Sequence, residues 1–111
     1  MEFPKDATGD VLRRMHASGF DFGSEHPIEF FAVFPTEEAA DTVAKQYLAE
    51  HKAGDKLVNI ETQPAESGGM ELILAKRMLA THENISAFEK KLAERSAGAG
   101  GRADGWGVMQ E

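Results

Sequence analysis

The sequence predicts one α+β domain, in which strands alternate with long helices over all 111 residues. Two stretches predict this class. Residues 27–51 combine a strand pattern that is apolar on both faces with an amphipathic helical pattern directly after it. Residues 70–95 repeat that order of strand and helix. Because each element must bury its apolar side against another one, a sheet covered by helices is expected.

The first strand is expected at residues 28–34 and in the middle of the sheet. Its even-numbered residues form one apolar face, made of Ile28, Phe30, Ala32 and Phe34. Phe31 and Val33 make the opposite face apolar as well, which is typical of a strand covered on both sides. Pro35 has no amide hydrogen to donate, so the strand ends there.

An acidic group begins the helix that follows this strand. Thr36 is a suitable N-cap. Glu37 and Glu38 lie in the first turn, where the helix dipole favours anions. Together with Asp41 they form the most compact acidic group of the chain. Two interpretations are open, because these residues serve helix capping and would equally attract a basic protein partner.

Turn residues and apolar periodicity predict the remaining elements. Asp6 or Thr8 can cap an N-terminal helix that ends at Gly19. Thr81 is the expected cap of the last helix. Three further strands are predicted, at residues 57–63, 70–78 and 104–109.

The predicted order, a helix followed by β-α-β-β-α-β, is the ferredoxin-like arrangement. We expect the strands in the spatial order 4-1-3-2, with the first and third central and parallel and the others at the edges. Both long helices are expected on one face of the sheet. The N-terminal helix is expected to cover part of the other face, where Phe31 and Val33 need burial.

Composition favours a soluble, globular, cytoplasmic protein. The chain is 41% hydrophobic and 28% charged, and it has no apolar run of about 18 residues that would span a membrane. Its first residues lack the basic and apolar regions of a signal peptide. The absence of cysteine excludes disulfides and thiolate chemistry.

The charge balance argues against direct nucleic-acid binding. Twelve Lys and Arg oppose nineteen Asp and Glu, for a net charge of −7. Such a surface repels phosphate and attracts basic partners, although the same charge also serves ordinary solubility. No strand pattern matches the aromatic strand of an RNA-recognition sheet. The residues that would form an alternative basic patch are Lys76, Arg77, Lys90, Lys91 and Arg95. A solvated charged surface is the favoured interpretation of these cations.

No pattern for enzymatic or metal chemistry occurs in the sequence. The four histidines, His16, His26, His51 and His82, lack the spacing of metal ligands. There is no nucleophile elbow, phosphate-binding loop or dinucleotide fingerprint. We therefore assign no catalytic, metal-binding or cofactor-binding residue and predict a protein that is not an enzyme.

The segment Asp104-Gly105-Trp106-Gly107 is the unusual part of the chain and holds its single tryptophan. In a strand both glycines face away from Trp106, so one side of the strand is bare backbone. Either something approaches that side closely or it is left open. One interpretation is packing, in which Trp106 fills the core and the glycines let a helix lie close. The other is a protein-binding patch anchored by Trp106, since tryptophan is enriched at binding hot spots.

Four stretches of the chain carry a resemblance to a known family. They are DVLRR at 10–14, the loop up to Phe31, FPTEEAA at 34–40 and, most specific, DGWG at 104–107. In these stretches the chain resembles the regulator of ribonuclease activity B family over nearly its whole length. The resemblance implies a ferredoxin-like fold and a non-enzymatic bacterial cytoplasmic regulator that inhibits the endoribonuclease E by protein–protein binding. The chain departs from some members because it stops at Glu111 without a strongly acidic extension.

A protein-binding regulator of RNA degradation is the leading hypothesis. Its candidate protein-binding residues are Asp104, Gly105, Trp106, Gly107, Glu37, Glu38 and Asp41. The alternative is a small-ligand-sensing or dimeric ferredoxin-like module unrelated to ribonuclease, because a fold does not determine a function. An enzymatic function is the third hypothesis and ranks last. The sequence identifies neither the partner protein, the oligomeric state nor any ligand.

Overall fold

The computed structural model describes residues 4–66 and 68–108. These residues contain three helices and four strands. The helices are α1 (Ala7–Ala17), α2 (Glu37–Lys52) and α3 (His82–Gly98). The strands are β1 (Glu25–Phe34), β2 (Asn59–Pro64), β3 (Met70–Leu79) and β4 (Arg102–Val108). Their order confirms the predicted ferredoxin-like arrangement with an extra N-terminal helix. The predicted end of the last strand, residue 109, lies outside the described residues.

The strands form one sheet in the order β2-β3-β1-β4, which confirms the predicted spatial order and the two central strands. All neighbouring strands are antiparallel. The prediction that the first and third strands are parallel is therefore wrong. Helix α2 carries the chain back along the sheet, so β2 runs in the direction of β1. The hairpin then reverses the chain into β3, which must oppose β1.

One face of the sheet is buried under the helices. Ile28, Phe30 and Ala32 of β1 are 0% exposed, as the strand pattern predicts. They belong to one apolar core shared with the neighbouring strand and the helices. Its other sheet and helix members include Phe34, Leu72, Leu74, Ala40, Val43, Tyr47, Ile85 and Leu92. The core therefore lies between the sheet and a single helical layer.

Helix α1 belongs to that same layer. Its Leu12 is fully buried in the common core, and the helix contacts α3. The Thr8 hydroxyl donates a hydrogen bond to Glu89 of α3 over 3.1 Å. The prediction that this helix covers the other face of the sheet is therefore wrong. The apolar side of this helix, which contains Leu12, already packs at the flank of α3.

Each helix begins at a side-chain cap. Asp6 caps α1, Thr36 caps α2 and Thr81 caps α3, each by accepting a hydrogen bond from the amide three residues later. The predicted caps of the two long helices are confirmed. Of the two candidates for α1, the structure has Asp6 rather than Thr8.

Candidate protein-binding surface

Strand β4 contains a β-bulge at Asp104 and Gly105. Both residues lie opposite Phe31 of β1, since Trp106 pairs with the residue before it and Ala103 with the residue after it. Gly105 has a φ of 106°, in the left-handed region that favours glycine. In a regular strand Ala103 and Trp106 would face opposite sides of the sheet. The extra residue of the bulge puts both on the helical side.

Trp106 faces the helical side of the sheet and is half-buried. It lies directly opposite the fully buried Phe30 and packs against the apolar core. This placement agrees with the packing interpretation of Trp106. Asp104, by contrast, is exposed, and its carboxylate accepts a hydrogen bond from the Arg102 guanidinium over 3.0 Å.

The opposite side of β4 is bare backbone, as the glycine spacing predicts. Gly107 pairs with Glu29 of β1, and a methyl group placed on Gly107 would meet no atom within 4 Å. The same is true at Gly105. Within the described residues, this side of the strand is therefore left open and is not covered by another part of the chain.

The bare side of β4 belongs to a sheet face that no helix of the described chain covers. We call it the open face and define it by Phe31, Val33, Ile73, Ala75, Glu29, Glu61, Glu71 and Gly107. Phe31 and Ile73 lie directly opposite each other at its centre. None of its apolar residues belongs to the core under the helices. Phe31 and Val33 are partly exposed, whereas Ile73 is 8% and Ala75 0% exposed, so Phe31 and Val33 supply the accessible apolar surface of the face.

Three glutamates border the apolar centre of the open face. The register places each of Glu29, Glu61 and Glu71 opposite an apolar residue of a neighbouring strand. Glu71 accepts a hydrogen bond from the Gln63 amide over 2.9 Å, and Glu61 accepts one from the Asn59 amide over 3.0 Å. None of the three forms an ion pair with another described residue. Their negative charge is therefore available to a partner.

Sequence reasoning missed these three glutamates as candidate binding residues. The available signal was the period-two alternation of the strands, which puts Glu29 on the same face as Phe31 and Glu71 on the same face as Ile73. Because the N-terminal helix was expected to cover this face, these three glutamates were not predicted to contact a partner.

The acidic group at the start of α2 lies on a different surface. Glu37 and Glu38 are exposed, Asp41 is partly exposed, and none of them has an ion pair within the described chain. Glu38 borders a shallow depression between α2 and the end of α3, on the helical side. No hydrogen bond or ion pair of the described residues joins this group to residues 104–107. The predicted binding residues therefore form two separate surfaces.

A family model described as regulator of ribonuclease activity B matches residues 5–108. The chain belongs to this family. The match spans every helix and strand of the described chain, which confirms the resemblance found in the sequence. This family regulates ribonuclease activity, so the family match indicates a regulatory role. Among curated proteins, none matches the chain.

Metal-binding and membrane-spanning features are absent from residues 4–66 and 68–108 of this family member. No three His, Asp or Glu side chains converge there as metal ligands, and no helix there is long and apolar enough to cross a membrane. His82 lies 2.8 Å from the Asp6 carboxylate, and a ring nitrogen of His51 accepts the Leu57 amide hydrogen over 2.9 Å. His82 is also 3.4 Å from the Ser86 hydroxyl, so its ring links the cap of α1 to the first turns of α3.

A cavity of about 400 Å³ lies between α2, α3 and the end of β3 in this regulator-family chain. Tyr47 lines it and is only 3% exposed, yet its hydroxyl has no hydrogen-bond partner among the described residues. The Arg95 guanidinium lies 4.5 Å from the centre of the Tyr47 ring and so contacts the ring face. Burial raises the pKa of Tyr47 to about 12, which keeps the phenol neutral.

The basic residues beside this cavity form ion pairs with two carboxylates, those of Glu50 and Asp55. The Arg95 guanidinium donates to the Glu50 carboxylate over 3.1 Å, and the Lys91 ammonium lies 3.3 Å from it. Lys76 pairs with Asp55. The Arg95 hydrogen bonds hold the pKa of the Glu50 carboxyl below its ordinary value. Lys91 and Arg95 share Glu50, so two carboxylates face these three cations and neutralise most of their charge.

Proposed function

We propose that this protein inhibits a ribonuclease E-type endonuclease by binding the enzyme rather than its RNA substrate, in the bacterial cytoplasm. The observation that carries the proposal is the family match over residues 5–108. A regulator of a ribonuclease acts either on the enzyme or on the RNA. The distribution of charge favours the enzyme.

The net charge of −7 opposes RNA binding, because a phosphate backbone would have to overcome repulsion from most of the surface. Three of the cations that would offset this charge, Lys76, Lys91 and Arg95, form ion pairs with two carboxylates, those of Asp55 and Glu50. A basic or mixed-charge segment of a protein is instead steered towards an acidic surface. The charge thus supports a protein target.

The proposed contact residues come from the two surfaces described above. They are Asp104, Gly105, Trp106 and Gly107 on β4, with Glu37, Glu38 and Asp41 on α2 as the second group. The exposed part of the Trp106 ring contacts the partner, because a partly buried tryptophan is a rigid anchor for a binding partner. The acidic group of α2 contributes charge that no described residue neutralises.

The test measures cleavage and RNA binding side by side. The purified protein should slow cleavage of an RNA substrate by the endonuclease of its own host. In a gel-shift assay at about 150 mM salt it should not bind that RNA. Raising the salt concentration should weaken the inhibition, since the attraction comes from surface charge. Tight RNA binding under these conditions would overturn the proposed target.

A small-ligand-sensing role is the second candidate, and the cavity beside Tyr47 is the observation that favours it. A ligand that binds only the folded state raises the melting temperature, so a thermal-shift screen of metabolites tests this role. Tyr47→Phe is the matched control, because it removes only the unpartnered hydroxyl. A metabolite shift that depends on this hydroxyl, together with uninhibited endonuclease, would replace the first proposal with the second.

A further inference from the structure

We infer that the open face of the sheet is the docking surface for a partner protein segment that carries Lys or Arg side chains beside apolar ones. The inference rests on the proposed function and names the surface and the chemistry of the partner. It extends the proposed contact from Gly107 across the rest of the sheet face that the helices leave uncovered.

The apolar centre of the open face supplies the first part of the argument. Phe31 and Ile73 are direct cross-strand neighbours, with Val33 and Ala75 next to them on the same face. Side chains in such register lie about 5 Å apart and form a continuous strip. Phe31 and Val33 remain partly exposed, and no helix of the described chain covers them. An aromatic residue at the centre of an uncovered patch is a typical binding anchor.

The charges around this strip define the chemistry of the partner. Glu29, Glu61 and Glu71 form no ion pair within the described chain. Of the two arginines at the margins of the face, Arg102 pairs with the Asp104 carboxylate, whereas Arg77 donates to a neutral backbone carbonyl and keeps its charge. The three glutamates outnumber this remaining cation. The charge left for a partner is therefore negative, and it complements Lys or Arg side chains.

Gly107 supplies an independent observation. Its φ is not in the left-handed region, and an added methyl group would meet no atom within 4 Å. The described part of the fold therefore does not require glycine here, although glycine weakens the interior of a strand. A glycine in a strand is typical of a place where another backbone approaches closely. Gly107 lies beside Glu29 on the open face, so the approaching backbone would belong to the partner.

Charge also argues against a second copy of this chain as the occupant. A two-fold symmetric interface sets the same patch against itself. On the open face this would bring the carboxylates of Glu29, Glu61 and Glu71 close to their own counterparts. Like charges so placed repel each other, and the three glutamates outnumber the cations at the margins of the face, Arg77 and Arg102, of which Arg102 already pairs with Asp104.

The experiment uses the full chain and two synthetic peptides, one that alternates lysine with valine and one that alternates glutamate with valine. Amide chemical shifts report where each peptide binds. The lysine peptide should shift the amides of Phe31, Ile73 and Gly107, and the glutamate peptide should not. Gly107→Thr should weaken this binding roughly tenfold without lowering the melting temperature, since threonine suits a strand.

Two matched variants act as controls. Gly98→Ala adds a side chain to another glycine that has no atom within 4 Å, at the end of α3 and away from the open face. It should leave peptide binding unchanged. Replacing Glu29, Glu61 and Glu71 by glutamine should weaken binding, whereas replacing Glu83 and Glu94, two exposed glutamates of α3, by glutamine should not.

Four outcomes would overturn the inference. They are no shift with the lysine peptide, shifts confined to the start of α2, Gly107→Thr binding as tightly as the unchanged chain, or a dimer of the peptide-free chain that Gly107→Thr dissociates. The endonuclease assay separates the inference from the proposed function. If Gly107→Thr inhibits the enzyme as strongly as the unchanged chain, the inference fails and the proposed function stands. If the enzyme is not inhibited but the peptide results hold, the proposed function fails and the docking surface stands.

Discussion

Phe30 of β1 stacks on Phe88 of α3, with the ring centroids 4.2 Å apart and the ring planes inclined by 26°. This contact joins a central strand of the sheet directly to the last helix. Phe30 is fully buried, whereas the next residue, Phe31, faces the open face and is partly exposed. The two adjacent phenylalanines therefore have different roles, and replacing each one by alanine distinguishes these roles.

Phe30→Ala should lower the free energy of unfolding by about 3–5 kcal/mol, because it removes a fully buried ring and leaves a cavity. Urea denaturation measures the loss. Phe31→Ala is the matched control and should cost less, since part of that ring already contacts solvent. A loss below about 1 kcal/mol for Phe30→Ala would contradict its burial in the core.

Trp106→Phe should lower the melting temperature. The smaller ring leaves part of the contact with the core unfilled, because Trp106 packs against the core from the helical side of β4. Differential scanning calorimetry measures the change, with Gly107→Thr as the neighbouring control on the open side. If the melting temperature stays constant while inhibition of the endonuclease is lost, Trp106 is a binding anchor and not a packing residue.

Glu50→Gln should destabilise the protein at about pH 7 and progressively less in acid. The pKa of the Glu50 carboxyl is lowered from its ordinary 4.5, chiefly by the Arg95 hydrogen bonds. A lowered pKa contributes stability above the unfolded-state pKa, and that contribution is lost as the pH falls through the folded-state value. Denaturation of both chains across the acid range measures the difference. Glu61→Gln, which removes an exposed carboxylate without an ion pair in the described chain, should show no such convergence.

Glu89→Gln should have the opposite pH dependence. Burial beside α1 raises the pKa of the Glu89 carboxyl above its ordinary 4.5, so the folded state favours the protonated form. The stability from this group is present in acid and is lost as the pH rises through the raised pKa. Glutamine keeps an acceptor for the Thr8 hydroxyl and carries no charge. The variant should therefore match the unchanged chain in acid and exceed it in stability near neutral pH, as thermal unfolding against pH would show.

The order of the strands could be predicted because an apolar pattern on both faces is typical of a central strand, as in β1. The position of α1 could not. A narrow stripe around Leu12 fits any apolar surface of suitable size, and only the three-dimensional flank of α3, with the Thr8–Glu89 hydrogen bond, distinguishes among them. The direction of β3 could have been predicted. Helix α2 returns the chain along the sheet, and the hairpin then reverses it, so β3 must run opposite to β1.

The candidate site was predictable only in part. The bare side of β4 follows from the glycine spacing, and the structure has it open at Gly107. The grouping of Glu29 with Glu61 and Glu71 depends on the register of three strands that are distant in sequence. The bulge opposite Phe31 was not foreseen, because period-two alternation assumes a regular strand.

The bulge at Asp104 and Gly105 also protects the edge of the sheet. Strand β4 is an edge strand, and a straight edge presents a row of unpaired amide and carbonyl groups on which another chain can add a strand. A bulge bends and twists such an edge, so that a regular ladder cannot extend from it. A chain without Gly105 would still direct Trp106 towards the helices, yet its edge would be straight. One extra residue thus opposes the addition of a further strand along β4.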